Sequence, residues 1–165
     1  MKPRIYLDNS VISYLTARPG RDAVAMARQV VTVEWWGRAF EKYELVVSEF
    51  VFEEARCGDA QAAQRRLDAI KDLASVDTQN LDVEMLAKAL TDRKALPATA
   101  RFDALHIAAA ACNGVEFLMT WNYKHLANPV QLDFVDQVCM DAGYQSPRIV
   151  TPDQFNLNSP GDDND

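Results

Sequence analysis

Residues 101–122 read RFDALHIAAAACNGVEFLMTWN, and this stretch decides the fold. From Phe102 to Asn113 the chain is almost wholly apolar and rich in alanine, the mark of a helix buried on several sides. Asn113-Gly114 stops that helix, because glycine takes the left-handed conformation that closes a helix C-terminus. Glu116 to Thr120 then reads as a short strand. A buried helix feeding a strand belongs to an α/β architecture.

Working outward, the same alternation recurs. RIYLD (4–8), ELVVS (44–48) and a weaker ASVD (74–77) are β-like, and RIVTP (148–152) adds an edge strand ended by Pro152. These runs are continuously apolar, as in strands covered on both faces. Between them, residues 22–43 form a long helical pattern, followed by EFVFEEAR, AQAAQRRLDAIKDL and VEMLAKALTDR, with Gly58-Asp59 as a break. The pattern predicts a three-layer α/β sandwich: a central, mainly parallel sheet of four or five strands with helices on both faces. Residues 1–152 make one domain without repeat or linker. Residues 153–165 read as an acidic, disordered tail.

Composition narrows the function. The 165 residues carry a net charge of −7, which disfavours a general nucleic-acid binder, whose affinity comes from Lys and Arg on phosphates. A nucleic-acid substrate would need local positive charge, a partner or a cation. Cys57, Cys112 and Cys139 are scattered and odd in number, which suits reduced, buried thiols. No apolar region follows Lys2 and Arg4, so no signal peptide is expected. The longest uncharged apolar stretch, residues 104–115, is too short to span a bilayer. A cytoplasmic protein without a membrane partner is the expectation.

In parallel sheets, ligands bind beyond the carboxyl ends of the strands. There stand Asp8 after the first strand, Glu49, Glu53 and Glu54 after the second, and Thr120 and Asn122 after the fourth; Asp103 opens the alanine-rich helix. Each has a plain structural reading. Asp8 caps a helix at Val11 to Leu15. Glu54 is a solvated helix residue, Asp103 complements a helix dipole, and Asn122 turns the chain. Asp103 and Asp8 fit those roles least well, because both sit on elements that should be deeply packed. A buried carboxylate needs a partner, a cation or a raised pKa. Two such carboxylates meeting would repel, and a divalent cation is the simplest relief. An oxygen-only set favours Mg²⁺ or Mn²⁺ over Zn²⁺.

Asp8 in YLDNSVISYL, Glu54 in LVVSEFVFEEARCGD, Asp103 in RFDALHIAAAACNG and Asn122 in TWN resemble the acidic quartet of PIN-domain ribonucleases. Within that family the chain is most similar to toxins of the VapC type, over residues 5–149. The family pattern points to Glu54, after Ser48 and Phe50-Val51-Phe52, with Glu53 as the alternative. Asn122 stands where the family often has Asp, leaving three formal negative charges and the number of metals open. The resemblance implies Mg²⁺- or Mn²⁺-dependent endonucleolytic hydrolysis of RNA, with metal on Asp8, Glu54 and Asp103, and ends carrying 5′-phosphate and 3′-hydroxyl. It also implies a small cognate antitoxin covering the site, and a homodimer.

Ser10 and Asn122 are placed to orient water or phosphate. Arg18, Arg101 and Lys124, with Arg21 and His125, are candidates for flanking phosphates or solvated surface. His106 reads as a satisfied core histidine. Trp35 and Trp36 read as interface, since adjacent indoles do not share one helix face. Two other classes compete. One is a PIN fold that binds RNA or protein without cutting it. The other is a haloacid-dehalogenase-like phosphatase, which needs an Asp where this chain has Ser10.

Overall fold

The computed structural model describes residues 1–122, 124, 126 and 128–156. Five strands form one all-parallel sheet: β1 (Arg4–Leu7), β2 (Glu44–Val47), β3 (Ala74–Ser75), β4 (Phe117–Met119) and β5 (Arg148–Val150). Their order is β3-β2-β1-β4-β5, with Tyr6 in register with Val46 on one side and Leu118 on the other. Ile5, Tyr6 and Leu7 are fully buried, so consecutive residues pointing to opposite faces of β1 are both covered.

Helices α1 (Asn9–Thr16) and α2 (Ala23–Lys42) join β1 to β2, and α3 (Glu49–Ala55) and α4 (Ala60–Ile70) join β2 to β3. The chain then crosses back through α5 (Leu81–Asp92) and α6 (Arg101–Cys112) to β4, and reaches β5 through α7 (Pro129–Asp141). Right-handed crossovers running outward in opposite directions put the two sets of helices on opposite faces, giving the three layers. The α/β sandwich expected from the sequence is the fold found.

The local causes are legible. Alanine-rich α6 is buried from Ala104 to Ala111, against α5 and the sheet. Gly114 ends it at φ 63°, with Gly114 N–H on the Ala111 carbonyl at 3.1 Å and Val115 N–H on that of Ala110 at 2.9 Å. That paired closure is the glycine-dependent helix ending expected there.

Four details differ from the sequence reading. The third strand is only two residues long, because it lies at the sheet edge and pairs with β2 alone. Helix α7 is an addition to the elements read from the sequence: Asn128 caps it, accepting from Val130 N–H at 3.1 Å, and Pro129 starts it. A short α8 (Pro152–Asn156) corrects the expected start of the tail at residue 153. It is anchored by Phe155, whose ring stands edge-on to Tyr43 at 5.2 Å and Phe117 at 5.4 Å. Residues 157–165 lie outside the described ones, as does His125. Finally, Trp35 belongs to the core at 2 % exposure, while Trp36 is half-buried and edge-on to the exposed Phe40 at 5.2 Å. Among the described residues no helix is long and apolar enough to cross a membrane.

Candidate active site

The strand order reverses direction between β1 and β4, and a cavity of about 330 Å³ opens at their carboxyl ends. Its lining includes Asp8, Asn9, Ser10, Glu54, Asp103 and Asn122. Four separate parts of the chain thus deliver their polar residues to the sheet's switch point, where α/β folds bind ligands.

Asp8 follows β1 and is 4 % exposed. Its helix-capping role and its place in the cavity coexist, because the two oxygens are used differently. Oδ1 accepts from Ser10 N–H at 3.0 Å and Val11 N–H at 3.4 Å, capping α1, and from Ser10 Oγ at 2.5 Å. Oδ2 accepts from Thr120 Oγ1 at 2.6 Å, across from the end of β4. Ser10 Oγ in turn accepts from Trp121 N–H at 2.9 Å, and Thr120 Oγ1 from Asn122 N–H at 2.9 Å. This cross-lacing fixes the end of β4 against the start of α1. Burial raises the Asp8 pKa; the His106, Ser10 and Thr120 interactions pull against it, and the Glu54 charge adds to it.

Asp103 stands in the first turn of α6 and is half-buried. The deep packing expected for it begins one residue later, at Ala104, because the helix start lies at the cavity rim. Asn122 Nδ2 lies 3.3 Å from Asp103 Oδ1 and 3.2 Å from Oδ2 and donates to the carboxylate. A neutral amide can bond where an aspartate would repel.

Glu54 sits near the end of α3, and its Oε1 meets His106 Nε2. Glu53 and Glu49 are exposed, and Glu49 pairs with Arg56 at 3.1 Å, so Glu54 alone of the three reaches the cavity. His106 is buried and satisfied, as its sequence context suggested, but its partners are the site carboxylate and Tyr6 rather than a backbone group.

The basic residues expected to meet flanking phosphates do not line this cavity. Arg18 Nη2 donates to Gln61 Oε1 at 3.2 Å, Arg101 lines a second cavity with Glu84 and Lys88, and exposed Lys124 is not among the residues of the acidic cavity. The cation that does line it is Arg28, from the middle of α2. Its guanidinium lies 5.7 Å from the Tyr14 ring centre and 5.4 Å from that of Trp121, and donates to Tyr14 OH at 3.2 Å. No local motif marks Arg28; only the packing of α2 on α1 brings it there.

The acids line one cavity without closing into a cluster. Among the described residues, no group of three His, Cys, Asp or Glu side chains is drawn close enough to hold a metal ion. Each carboxylate is instead turned to its own partner: Ser10 and Thr120, His106, or Asn122. Mutual repulsion between carboxylates favours that spreading. The donor set nevertheless suits a hard cation, being oxygen-only at Asp8, Glu54 and Asp103. Asn9, also in the lining, has a buried Oδ1 with no hydrogen-bond partner, an acceptor that a cation or its water would satisfy. A larger cavity of about 1160 Å³, between α7, β5 and α8, is lined by none of these residues. Convergent chemistry, more than volume, marks the site.

Neither a family model nor a curated protein matches this chain. The functional reading therefore rests on the residues themselves and on the sequence resemblance.

Proposed function

We propose that the chain is a metal-dependent endoribonuclease, hydrolysing RNA phosphodiester bonds in the cavity at the ends of β1 and β4. The observation that carries this is the meeting of Asp8, Glu54 and Asp103, far apart in sequence, around one opening with Arg28 on its wall. Asp8, Glu54 and Asp103 would hold Mg²⁺ or Mn²⁺. Such an ion, when bound, lowers the pKa of its water and polarises phosphoryl oxygens.

Charge arithmetic supports a cation over a bare acidic site. A phosphate about 4 Å from one carboxylate is repelled by about 4 kcal/mol at an effective dielectric of about 20. Three carboxylates and one guanidinium therefore leave a net barrier that a divalent ion removes. Around that ion the chain's own groups have distinct tasks. Asp8 is held rigid by the α1 backbone and by Thr120. Ser10 and Asn122 offer a hydroxyl and an amide beside it for water or phosphate. Arg28, stacked on two rings, supplies positive charge to the flanking phosphate. The VapC-type resemblance adds two partners to the proposal, a small antitoxin covering the cavity and a second copy of the chain.

A second reading draws on the internal partner that each carboxylate already has: a module that binds RNA or protein without cutting. One experiment separates them. Purified protein is incubated with total RNA and Mg²⁺ or Mn²⁺, beside Asp103→Asn and beside an EDTA control. The nuclease reading expects 5′-phosphate ends that disappear in both controls. Cleavage surviving both controls, or none from the wild type, refutes it.

A further inference from the structure

Behind the acidic cavity runs a line of polar groups that ends on Glu54 and whose other members the proposed chemistry does not use. The Tyr6 hydroxyl lies 2.5 Å from Ser48 Oγ and 2.7 Å from His106 Nδ1, and His106 Nε2 meets Glu54 Oε1. Ser48 and Tyr6 are 0 % exposed and His106 1 %, while the Glu54 side chain keeps 28 % of its surface. The line thus starts in the core and ends at the cavity. We propose that Tyr6 and His106 are positioning residues, which fix the Glu54 carboxylate so that its Oε2 is offered to the cation. This rests on the metal-dependent reading above.

Hydrogen-bond direction makes the case. An ionised Glu54 only accepts, so His106 Nε2 must carry the proton. In a neutral imidazole Nδ1 is then an acceptor, and the Tyr6 O–H must donate to it. The Tyr6 oxygen is left to accept from Ser48. Each link sets the next, and with a neutral ring the Nε2-protonated tautomer satisfies all four groups. Without the Tyr6 hydroxyl, Nδ1 is left a buried acceptor with no partner, and the ring loses the bond that holds it in line with the carboxylate. Tyr6 therefore acts on Glu54 without touching it.

Two further observations support a dedicated arrangement. Ser48 is the N-cap of α3, yet its side chain makes no capping bond; the hydroxyl is committed to Tyr6 instead. Capping is what serine ordinarily does at that position. His106, meanwhile, interrupts the most buried helix of the protein, where an aliphatic side chain would fill the space without two polar nitrogens to satisfy. Among the described residues Glu54 Oε2 makes no hydrogen bond, so one carboxylate oxygen is anchored and the other is available. Residues that orient metal ligands in this way typically change metal affinity or activity by about 10–100-fold when removed.

The test uses the full ¹⁵N-labelled chain, first without metal and then titrated with Mn²⁺. The sequence has two histidines, so His106→Gln identifies the His106 ring signals by subtraction. Long-range ¹H–¹⁵N spectra should find the neutral wild-type ring protonated on Nε2. Mn²⁺ affinity should fall about 10–100-fold in His106→Ala and several-fold in Tyr6→Phe. It should largely recover in His106→Gln, whose amide can still donate to Glu54. If His106→Ala does not fold, Tyr6→Phe, which loses one oxygen, decides. A wild-type ring protonated on Nδ1, or variants that bind Mn²⁺ as the wild type does, overturns the positioning role and leaves the nuclease reading standing. A wild type that binds no Mn²⁺ overturns both.

Discussion

Asp8 is the residue at which fold and chemistry can be pulled apart. Its Oδ1 caps α1 through two backbone N–H groups at 3.0 and 3.4 Å, and its Oδ2 takes the Thr120 hydroxyl at 2.6 Å. Asparagine caps about as well as aspartate, and its amide can donate to Thr120 Oγ1, so Asp8→Asn keeps the framework. It also removes a buried negative charge whose pKa is raised by burial, so in EDTA the variant should be at least as stable as the wild type. Asp8→Ala has no such substitute. Losing the cap costs about 1 kcal/mol, and stranding the Ser10 and Thr120 hydroxyls about 1–2 more. At roughly 2–4 °C per kcal/mol, that lowers the unfolding midpoint by about 5–10 °C. Mn²⁺ then separates the variants again. At about 100 times its Kd an ion adds about 2.7 kcal/mol to the wild type, another rise of roughly 5–10 °C, and nothing to Asp8→Asn. Thermal unfolding followed by circular dichroism, with EDTA and with Mn²⁺, reads all of this. The reasoning is refuted if Asp8→Asn falls in EDTA as far as Asp8→Ala, or gains the wild-type shift from Mn²⁺.

Asn122→Asp replaces a bond to Asp103 with a repulsion, and at this half-exposed site should cost about 1–3 kcal/mol in EDTA, recovered by Mn²⁺ in the same melting experiment. Arg28→Ala removes two cation–π contacts and should destabilise by about 1–2 kcal/mol. If Arg28 holds a substrate phosphate, the same change raises KM for RNA about tenfold and kcat moves less, as steady-state cleavage would report. In the metal-free protein, folded Asp8 keeps its proton above its ordinary value of 3.8, where the unfolded chain has already lost it. Its contribution to stability therefore falls as pH rises from about 4 through the folded pKa, and denaturant titrations should show that slope flattened in Asp8→Asn.

Much of this architecture was legible because burial leaves a mark on composition. β1, β2 and β4 are apolar without alternation, and α6 is apolar all round, so a covered parallel sheet followed directly. Asp8, Asp103 and Asn122 were findable as polar residues at strand ends and a helix start, positions that topology assigns to ligands, whereas Glu54 was separated from Glu49 and Glu53 only by the family resemblance. Arg28 was not, since one arginine in a long surface helix looks like any other until α2 packs on α1. The partnership of Tyr6, Ser48 and His106 was hidden for a related reason. Tyr6 sits inside a strand where its hydroxyl leaves no pattern, and its two partners are 42 and 100 positions away. Arg18, Arg101 and Lys124 do not line the acidic cavity, although Arg101 and Lys124 each stand two positions from one of its residues along the chain.

The threading of the cavity has a bearing on synthesis. Asp8 is braced by a residue 112 positions downstream, and Asp103 by one that follows β4. An N-terminal fragment emerging from a ribosome would carry the first two acids with nothing to hold them together. Only when β4 docks beside β1 does the opening come into being. Whatever is bound or done in that opening must wait until most of the chain has been made.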